Sequence, residues 1–400
     1  MALASLKKIF YTDRHNHYNA YLQRFHSPSS VLLDFYIQQF NHNNSFQAFF
    51  YYSPELVSLI ENIYISHRSL TDIIHNFPPI ALHQFALASI VDEVHSTSAI
   101  EGIHSTHREL RNILEGYYSS SHFSSIIKKY HLLLDDCSIP FYSPLDIRVF
   151  YDDFAHDEIA SNNPHNRLDG AIFRAEAVDI KSASGKILHR GITPEKKIIN
   201  CMNFALDFLH DNNIPVLVRI AVFHYLFVYI HPFYDGNGRT ARFIASYCLA
   251  KHFHPLTALR LSVTIRHSLK RYYELIHDTE LEINCGDLTP FIYGFMTFFK
   301  NTIDDISHAL KLKSSQITTF MHKLDALNLH DDFTASLCYL LLQASAFFGQ
   351  GLSMNELMKF TGKSRNTIKA KLASIPQNLI TVRGNKRLFY KINLLAMKDL

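Results

Sequence analysis

The chain has 400 residues, 47% of them hydrophobic, with 31 Phe, 21 Tyr and no Trp, which is ample apolar surface for packed cores. That length predicts two or three domains, because domains run about 100–200 residues each. A net charge of only +3 excludes a global field that would mark a nucleic acid or a membrane surface as the partner of the whole chain. The cysteines, Cys137, Cys201, Cys248, Cys285 and Cys338, are scattered without a CxxC pair. That excludes a disulfide frame or a zinc ribbon and predicts reduced thiols in a cytoplasmic protein. The start, MALASLKKIFYTDRHNHY, has no apolar signal core, and the longest apolar run, about 220–230, is too short to span a bilayer. No membrane partner is expected. Most of the 25 histidines lie outside any metal spacing and read as surface or helix-interior residues.

Residues 1 to about 50 are polar and aromatic, with runs such as NHNNSF at 41–46, and suggest no chemistry. They read either as short helices packed on the later helices or as a partly disordered segment. Ser53-Pro54 is a helix start, with Ser53 as N-cap and Pro54 at the first helical position. Leu56, Leu59, Ile60 and Ile63 come next at helical spacing. Pro78-Pro79 breaks that pattern and opens a helix over roughly 80–100. Thr97 and Glu101 fall four apart, on one face at its end, and Gly102 terminates it. On these residues alone, Glu101 reads as a surface acid at a frayed helix end. From 104 to 165 the pattern stays helical, with loops near 119–125 and 138–144 and turn chemistry at Asn162-Asn163-Pro164.

The period then changes. Val178 and Ile180 alternate with Asp179 and Lys181, Ser-Ala-Ser-Gly at 182–185 supplies a turn, and Lys186-Ile187-Leu188 comes after it. This predicts a β-hairpin in an otherwise helical chain. Glu195 to His210 is a helix with Ile198, Met202, Ala205, Leu206 and Leu209 on one face. Pro215 opens the next helix, whose near-continuous apolarity predicts burial on all sides, with His224 as a packed core histidine.

At 231–242 the sequence reads HPFYDGNGRTAR. Each polar piece suits phosphoryl or nucleotidyl transfer. His231 can take a proton from a hydroxyl near neutral pH. Asp235 is a hard oxygen ligand suited to Mg²⁺ that also touches nucleotide phosphates. Gly236-Asn237-Gly238 is a turn feeding a helix, and amides and dipole there favour an anion. Arg239 and Arg242, three apart on that helix, can reach one polyphosphate.

This stretch resembles the signature of the Fic (filamentation induced by cAMP) family, HxFx(D/E)GNGRxxR, and every defined position is matched. The resemblance implies transfer of AMP from ATP to a Ser, Thr or Tyr hydroxyl of a target protein, with pyrophosphate released. It implies His231 as the base, and Asp235 as ligand to Mg²⁺ (or Mn²⁺). Asn237 would help hold the α-phosphate, Gly236 and Gly238 would seat the phosphates, and Arg239 and Arg242 would neutralise the outer ones. It also changes the reading of residues upstream and downstream. Thr97 and Glu101 look like the inhibitory motif (S/T)xxxE(G/N), whose Glu competes for a signature arginine, in the class with an N-terminal inhibitory helix. The hairpin, with Ile180, Lys181 and Ile187, looks like the flap that holds a target segment as an added strand. Tyr272 and Tyr273 match a Tyr-Tyr pair near the adenine, although adjacent tyrosines on a helix commonly serve packing.

Residues 300–330 read as connecting helix. The tail then gives a short helix, a turn at Thr361-Gly362-Lys363, a second helix and two strands around Arg383-Gly384-Asn385-Lys386, the order of a winged helix-turn-helix. From 353 to 391 there are nine Lys or Arg against one acid, Glu356, which makes this segment +8 and the remainder −5. That asymmetry predicts duplex DNA as a partner, with Arg365 and Lys369 on the second helix and Arg383 and Lys386 in the wing. A protein–protein winged helix is the competing reading.

The expected fold is mainly α: a Fic-type helical core with a β-hairpin flap, plus a C-terminal winged helix-turn-helix. The expected division is an N-terminal helical region over 1–80, the core over 81–300 with the inhibitory helix near 80–102, a helical linker over 301–330 and the winged helix over 331–400. The expected activity is protein adenylyl transfer, autoinhibited by Glu101, with ATP as substrate and the chain's own hydroxyls among possible acceptors. Two alternatives stand beside it: a nucleotide-sensing DNA-binding regulator, and a Fic enzyme that removes AMP from its target. A homodimer stays open.

Overall fold

The computed structural model describes residues 4–114, 116, 123–135, 137–156, 159, 163–181, 184–327, 331–347, 351–384 and 388–397. The fold is mainly helical, as the periodicities predict. Its contacts divide into two compact units, Met1–His67 with Ile90–Ile303, and Arg68–Ser89 with Asp304–Leu400. This division differs from the four consecutive segments expected from sequence. The stretch expected as a linker is the second half of one 38-residue helix, Thr289–Ala326.

The first unit begins with two short helices, Leu6–Thr12 and His17–Phe25, and then departs from expectation. The N-terminal region is not wholly helical. Ser30–Gln38 and Ser45–Tyr51 form an antiparallel hairpin. Leu33, Phe35 and Ile37 are buried while Leu32, Asp34 and Tyr36 are exposed, a period of two. Leu32 and Tyr36 put large apolar groups on the solvent side, so the alternation is hidden in the letters. Phe35 stacks on Phe204, and the Tyr229 hydroxyl meets both the amide and the carbonyl of Gln38.

The helix Pro54–His75 starts as expected, with Leu56 N–H donating to the Ser53 hydroxyl. Pro79–Ile100 ends one residue before Glu101, and Gly102 takes φ +74°. Glu195–His210 buries the five residues expected of it. Val216–Ile230 is the centre of the unit: every residue but Val216 and Val228 is buried. Each large apolar side chain so buried contributes about 1.5–3 kcal/mol, which makes this helix a rigid mount for the loop at its C-terminal end. Asn237–His252 packs directly on it. Asp179–Lys181 and Ile187–Arg190 form the expected antiparallel hairpin, with a register shift between Ile180 and Lys181.

In the second unit, Asp332–Ser345 leads to Leu352–Ser353, the helices Met354–Thr361 and Arg365–Ser374, and the strands Ile380–Arg383 and Phe389–Ile392. The three strands form an antiparallel sheet with Phe389–Ile392 in the middle. Ser353 and Glu356 make a capping box, Gly362 closes the first helix at φ +66°, and Ser364 caps the second. Phe347 packs on Phe77 and Phe85 within this unit. All five cysteines are free thiols. No helix among the described residues is long and apolar enough to cross a membrane.

Candidate functional site

The site is built where the buried helix Val216–Ile230 stops. His231 closes it in the left-handed region, φ 54° and ψ 61°, where a non-glycine residue is strained. Its N–H donates to Phe227 O at 3.0 Å, and its carbonyl accepts from Arg174 Nε at 2.8 Å. Its ring Nδ1 lies 3.2 Å from the Val228 carbonyl, which can only accept. Nδ1 therefore carries the hydrogen and Nε2 keeps its lone pair. Burial, then the nearby His189, push its pKa down to about 3. The imidazole is neutral at pH 7 and ready to accept a proton.

The loop after His231 is braced from three sides. Asn237 is 2% exposed; its side-chain amide accepts from Phe233 N–H at 2.9 Å and donates to Phe233 O at 2.8 Å. The Asn237 side chain is thus occupied in closing the loop, and its contribution to a phosphate site is its backbone N–H. Tyr151 stacks on Phe233 and donates to the Asp235 carbonyl at 3.1 Å. Asp235 Oδ1 accepts from Gly236 N–H at 2.6 Å. Of the Gly236–Gly238 amides expected to face an anion, that of Gly236 is thus engaged by its neighbour, whereas the first N–H groups of the helix Asn237–His252 have no partner within the helix. A side chain on Gly236, at φ +80°, would meet Ile159 at 2.7 Å.

Arg239 is fully buried and Arg242 is 1% exposed. Arg242 donates from Nε to Thr97 Oγ1 at 2.9 Å, and from one terminal nitrogen to Thr97 O at 3.0 Å and to Glu101 Oε1 at 2.7 Å. Burial pulls the Arg242 pKa down, but the Glu101 carboxylate and the adjacent Tyr272 more than offset it, so the guanidinium stays charged. Any side chain on Gly238 would collide with Glu101 Oε1. The Glu101 carboxylate therefore rests against Gly238, in the first turn of the helix Asn237–His252.

The hairpin covers a cavity of about 490 Å³ beside this loop, lined by Ile180, Lys181, Leu188, Val228, Tyr229 and Tyr273 among others. Ile187 is half-buried opposite Lys181. Tyr273 is 47% exposed on the cavity wall, and its hydroxyl donates to Ile100 O at 3.2 Å. Tyr272 does not share that place: it is 1% exposed, with its hydroxyl bonded to the buried His224 at 2.8 Å. Adjacent residues on a helix point about 100° apart, so one tyrosine serves the core and the other the cavity.

Two charged residues here carry no sequence signal. Arg174 is fully buried and donates to the carbonyls of His231, Glu176 and Ile192 at 2.6–2.9 Å, so one side chain holds both legs of the hairpin and the backbone of His231. Glu93 is fully buried on the helix Pro79–Ile100 and accepts from Ser262 N–H at 2.9 Å. Burial, opposed by bonds from Ser262, raises its pKa to about 7. The only hint of Glu93 in the letters is an acid within an apolar stretch, Ile90-Val91-Asp92-Glu93-Val94. In the second unit Arg365, Lys369 and Arg383 are exposed, while Lys386 lies outside the described residues.

The Fic/DOC family model matches residues 154–249. The chain is 26% identical over 270 residues to the protein adenylyltransferase fic-1 of Caenorhabditis elegans, covering 66% of this chain and 50% of that protein. It is 38% identical over 106 residues to the protein adenylyltransferase Fic of Nematostella vectensis, covering 26% and 23%. The chain thus spans half or less of the length of these two relatives. A crystal structure of a Fic family protein from Desulfovibrio desulfuricans G20 superposes with a TM-score of 0.51 at 18% identity, covering 86% of this chain and 97% of that one, which shows the shared fold. Residues 154–249 thus form a Fic domain within this chain.

Proposed function

We propose that this protein transfers AMP from ATP to a hydroxyl of a target protein, and that Glu101 holds it in an inhibited state. The observation that carries this reading is a neutral His231, with Nε2 unblocked, beside an anion loop whose second arginine is engaged by Glu101. Two relatives bear the name protein adenylyltransferase, which supports the activity.

ATP binds with its phosphates at the N-terminus of the helix Asn237–His252. Arg239 and Arg242 lie at i and i+3 behind that end and neutralise the outer phosphates. The flap presents the target hydroxyl. His231 Nε2 accepts its proton, the oxygen bonds to the α-phosphorus, and the bond to the β-phosphate oxygen breaks, releasing pyrophosphate. Positioning and fixed positive charge supply most of the barrier reduction. The donor set suits a divalent ion of the Mg²⁺ or Mn²⁺ type. Among the described residues no group of three or more ligands exists, and Asp235 offers one partly exposed carboxylate at the mouth of a phosphate loop. Mg²⁺ is commonly held by one or two carboxylates plus substrate phosphates and waters. When bound, such an ion would neutralise phosphate charge; Asp235 would hold it.

The experiment is incubation with ATP labelled at the α-phosphate. Transfer of label to protein, stronger when Glu101 is replaced by Gly, supports the reading. Absence of label from both forms, with a protein acceptor pool present, refutes it. The free thiols support a reducing, cytoplasmic setting. We further propose that residues 331–400 form a winged helix-turn-helix that binds duplex DNA. The helix–strand–helix–helix–strand–strand order and the exposed Arg365, Lys369 and Arg383 support this.

A further inference from the structure

His189 lies on the second strand of the flap and is 8% exposed, whereas its neighbours Leu188 and Arg190 face outward. Both of its ring nitrogens are engaged. Nε2 is 2.7 Å from the Tyr229 carbonyl, and Nδ1 is 2.9 Å from Glu280 Oε2. A carbonyl only accepts, so Nε2 carries a hydrogen. Glu280 is 6% exposed, and its other oxygen accepts from the Phe40 amide at 3.3 Å. Nδ1 faces the Glu280 carboxyl group, so a single hydrogen joins the two. Glu280 is 91 residues away, on the helix Leu269–Glu280, so the contact ties the flap to the core. Tyr229 belongs to the helix that ends at His231, so the second contact ties the flap to the mount of the base. The His189 and His231 rings lie 6.4 Å apart, centre to centre.

We infer that the His189–Glu280 pair is the joint that sets the flap against His231, and so positions a hydroxyl held on the flap for proton transfer to Nε2. Neither residue touches the reacting atoms; they act through the flap and through His231. This rests on the proposed transfer reaction and on the flap as its presenter. The alternative anchors are few. On the outer side of the flap Asp179 and Arg190 pair with each other across the strands, and Arg190 also covers the Phe40 ring. At the base of the flap Arg174 holds both legs through the carbonyls of Glu176 and Ile192, which lie outside the strands. Within the strands, His189 is the inward-facing polar residue.

The test uses the full chain carrying Glu101→Gly, with two further replacements. Glu280→Gln can accept from the Phe40 amide and donate to His189 Nδ1, so it keeps both hydrogen bonds. His189→Leu removes the joint. Hydrogen exchange of Asp179–Lys181 and Ile187–Arg190 reads the flap without any need for activity. In His189→Leu, which loses two buried bonds, it should rise about tenfold or more, with self-labelling from α-labelled ATP falling by a similar factor and ATP affinity near its starting value. In Glu280→Gln, which keeps the bonds, exchange should stay near the parent value. Parent-like exchange in His189→Leu overturns the joint. If the parent carries no label, the transfer reading fails, and the exchange measurement still decides the joint.

Discussion

His231 is held in a strained conformation by bonds to its own backbone: Phe227 O on its amide and Arg174 on its carbonyl. Its side chain is spared for chemistry, with Nδ1 turned to Val228 and Nε2 left open. Replacing His231 with Ala should lower AMP transfer by about 10²–10⁴-fold, the usual worth of a positioned base, while ATP binding persists because the phosphates are held by other groups. Labelling near the parent level would remove His231 from the chemistry. Glu93 makes a second prediction at this scale. Its pKa is raised to about 7 in the folded state, against about 4.5 for an ordinary glutamate. The folded protein therefore binds a proton that the unfolded chain does not, and Glu93 adds stability as pH falls from about 7 to about 4.5. His224 and His231 act oppositely: burial lowers both to about 3, so stability is lost as pH falls below about 6.5. Glu93→Gln keeps an acceptor for Ser262 and removes this compensating proton. Its Tm should fall more steeply between pH 7 and pH 4.5 than that of the parent; parallel curves would show that Glu93 does not titrate in this range.

At the scale of elements, the helix Pro79–Ile100 presents Thr97 and Glu101 to one arginine from a distance of 141 or more residues in the chain. The Arg242 guanidinium donates three hydrogen bonds, two to Thr97 and one, charge-assisted, to Glu101. In the proposed reaction one arginine serves two anions in turn, the Glu101 carboxylate and the outer phosphate of ATP. Glu101→Gly should raise AMP transfer, self-modification included, by about tenfold or more, since about 1.4 kcal/mol of coupling is already a factor of ten. Arg242→Ala should not imitate it, because the phosphate loses its partner together with the inhibitor. Equal labelling by the parent and Glu101→Gly would return Glu101 to the role of a helix-end acid. The flap is the second element that matters here. Its strands are short, and His189, with Arg174 at its base, fastens it to the core.

For the whole molecule, the uneven charge is the informative quantity: +8 over residues 353–391 against +3 in total. Phosphate contacts release counterions, so binding of the full chain to duplex DNA should weaken steeply as salt rises. Replacing Arg365 and Lys369 with Glu should abolish most of that binding, and a mobility shift that survives both replacements would place the contact elsewhere. The sequence by itself determined the signature at 231–242, the hairpin, the buried helix before the signature and the element order of the tail, because each is written within a few turns or strands of chain. Local period and spacing report which face of an element is apolar, and the signature residues needed no distant partner to be recognised. Tertiary structure decided the rest. The hairpin over 30–51 escaped notice because Leu32 and Tyr36 are apolar on the solvent side. Tyr272 and Tyr273 read alike until packing sent one into the core and the other to the cavity. Arg174, Glu93 and the His189–Glu280 pair take their meaning from carbonyls, amides and charges that lie far away in the chain. A buried charge is tolerated only where such partners converge, and that convergence is a property of the folded chain.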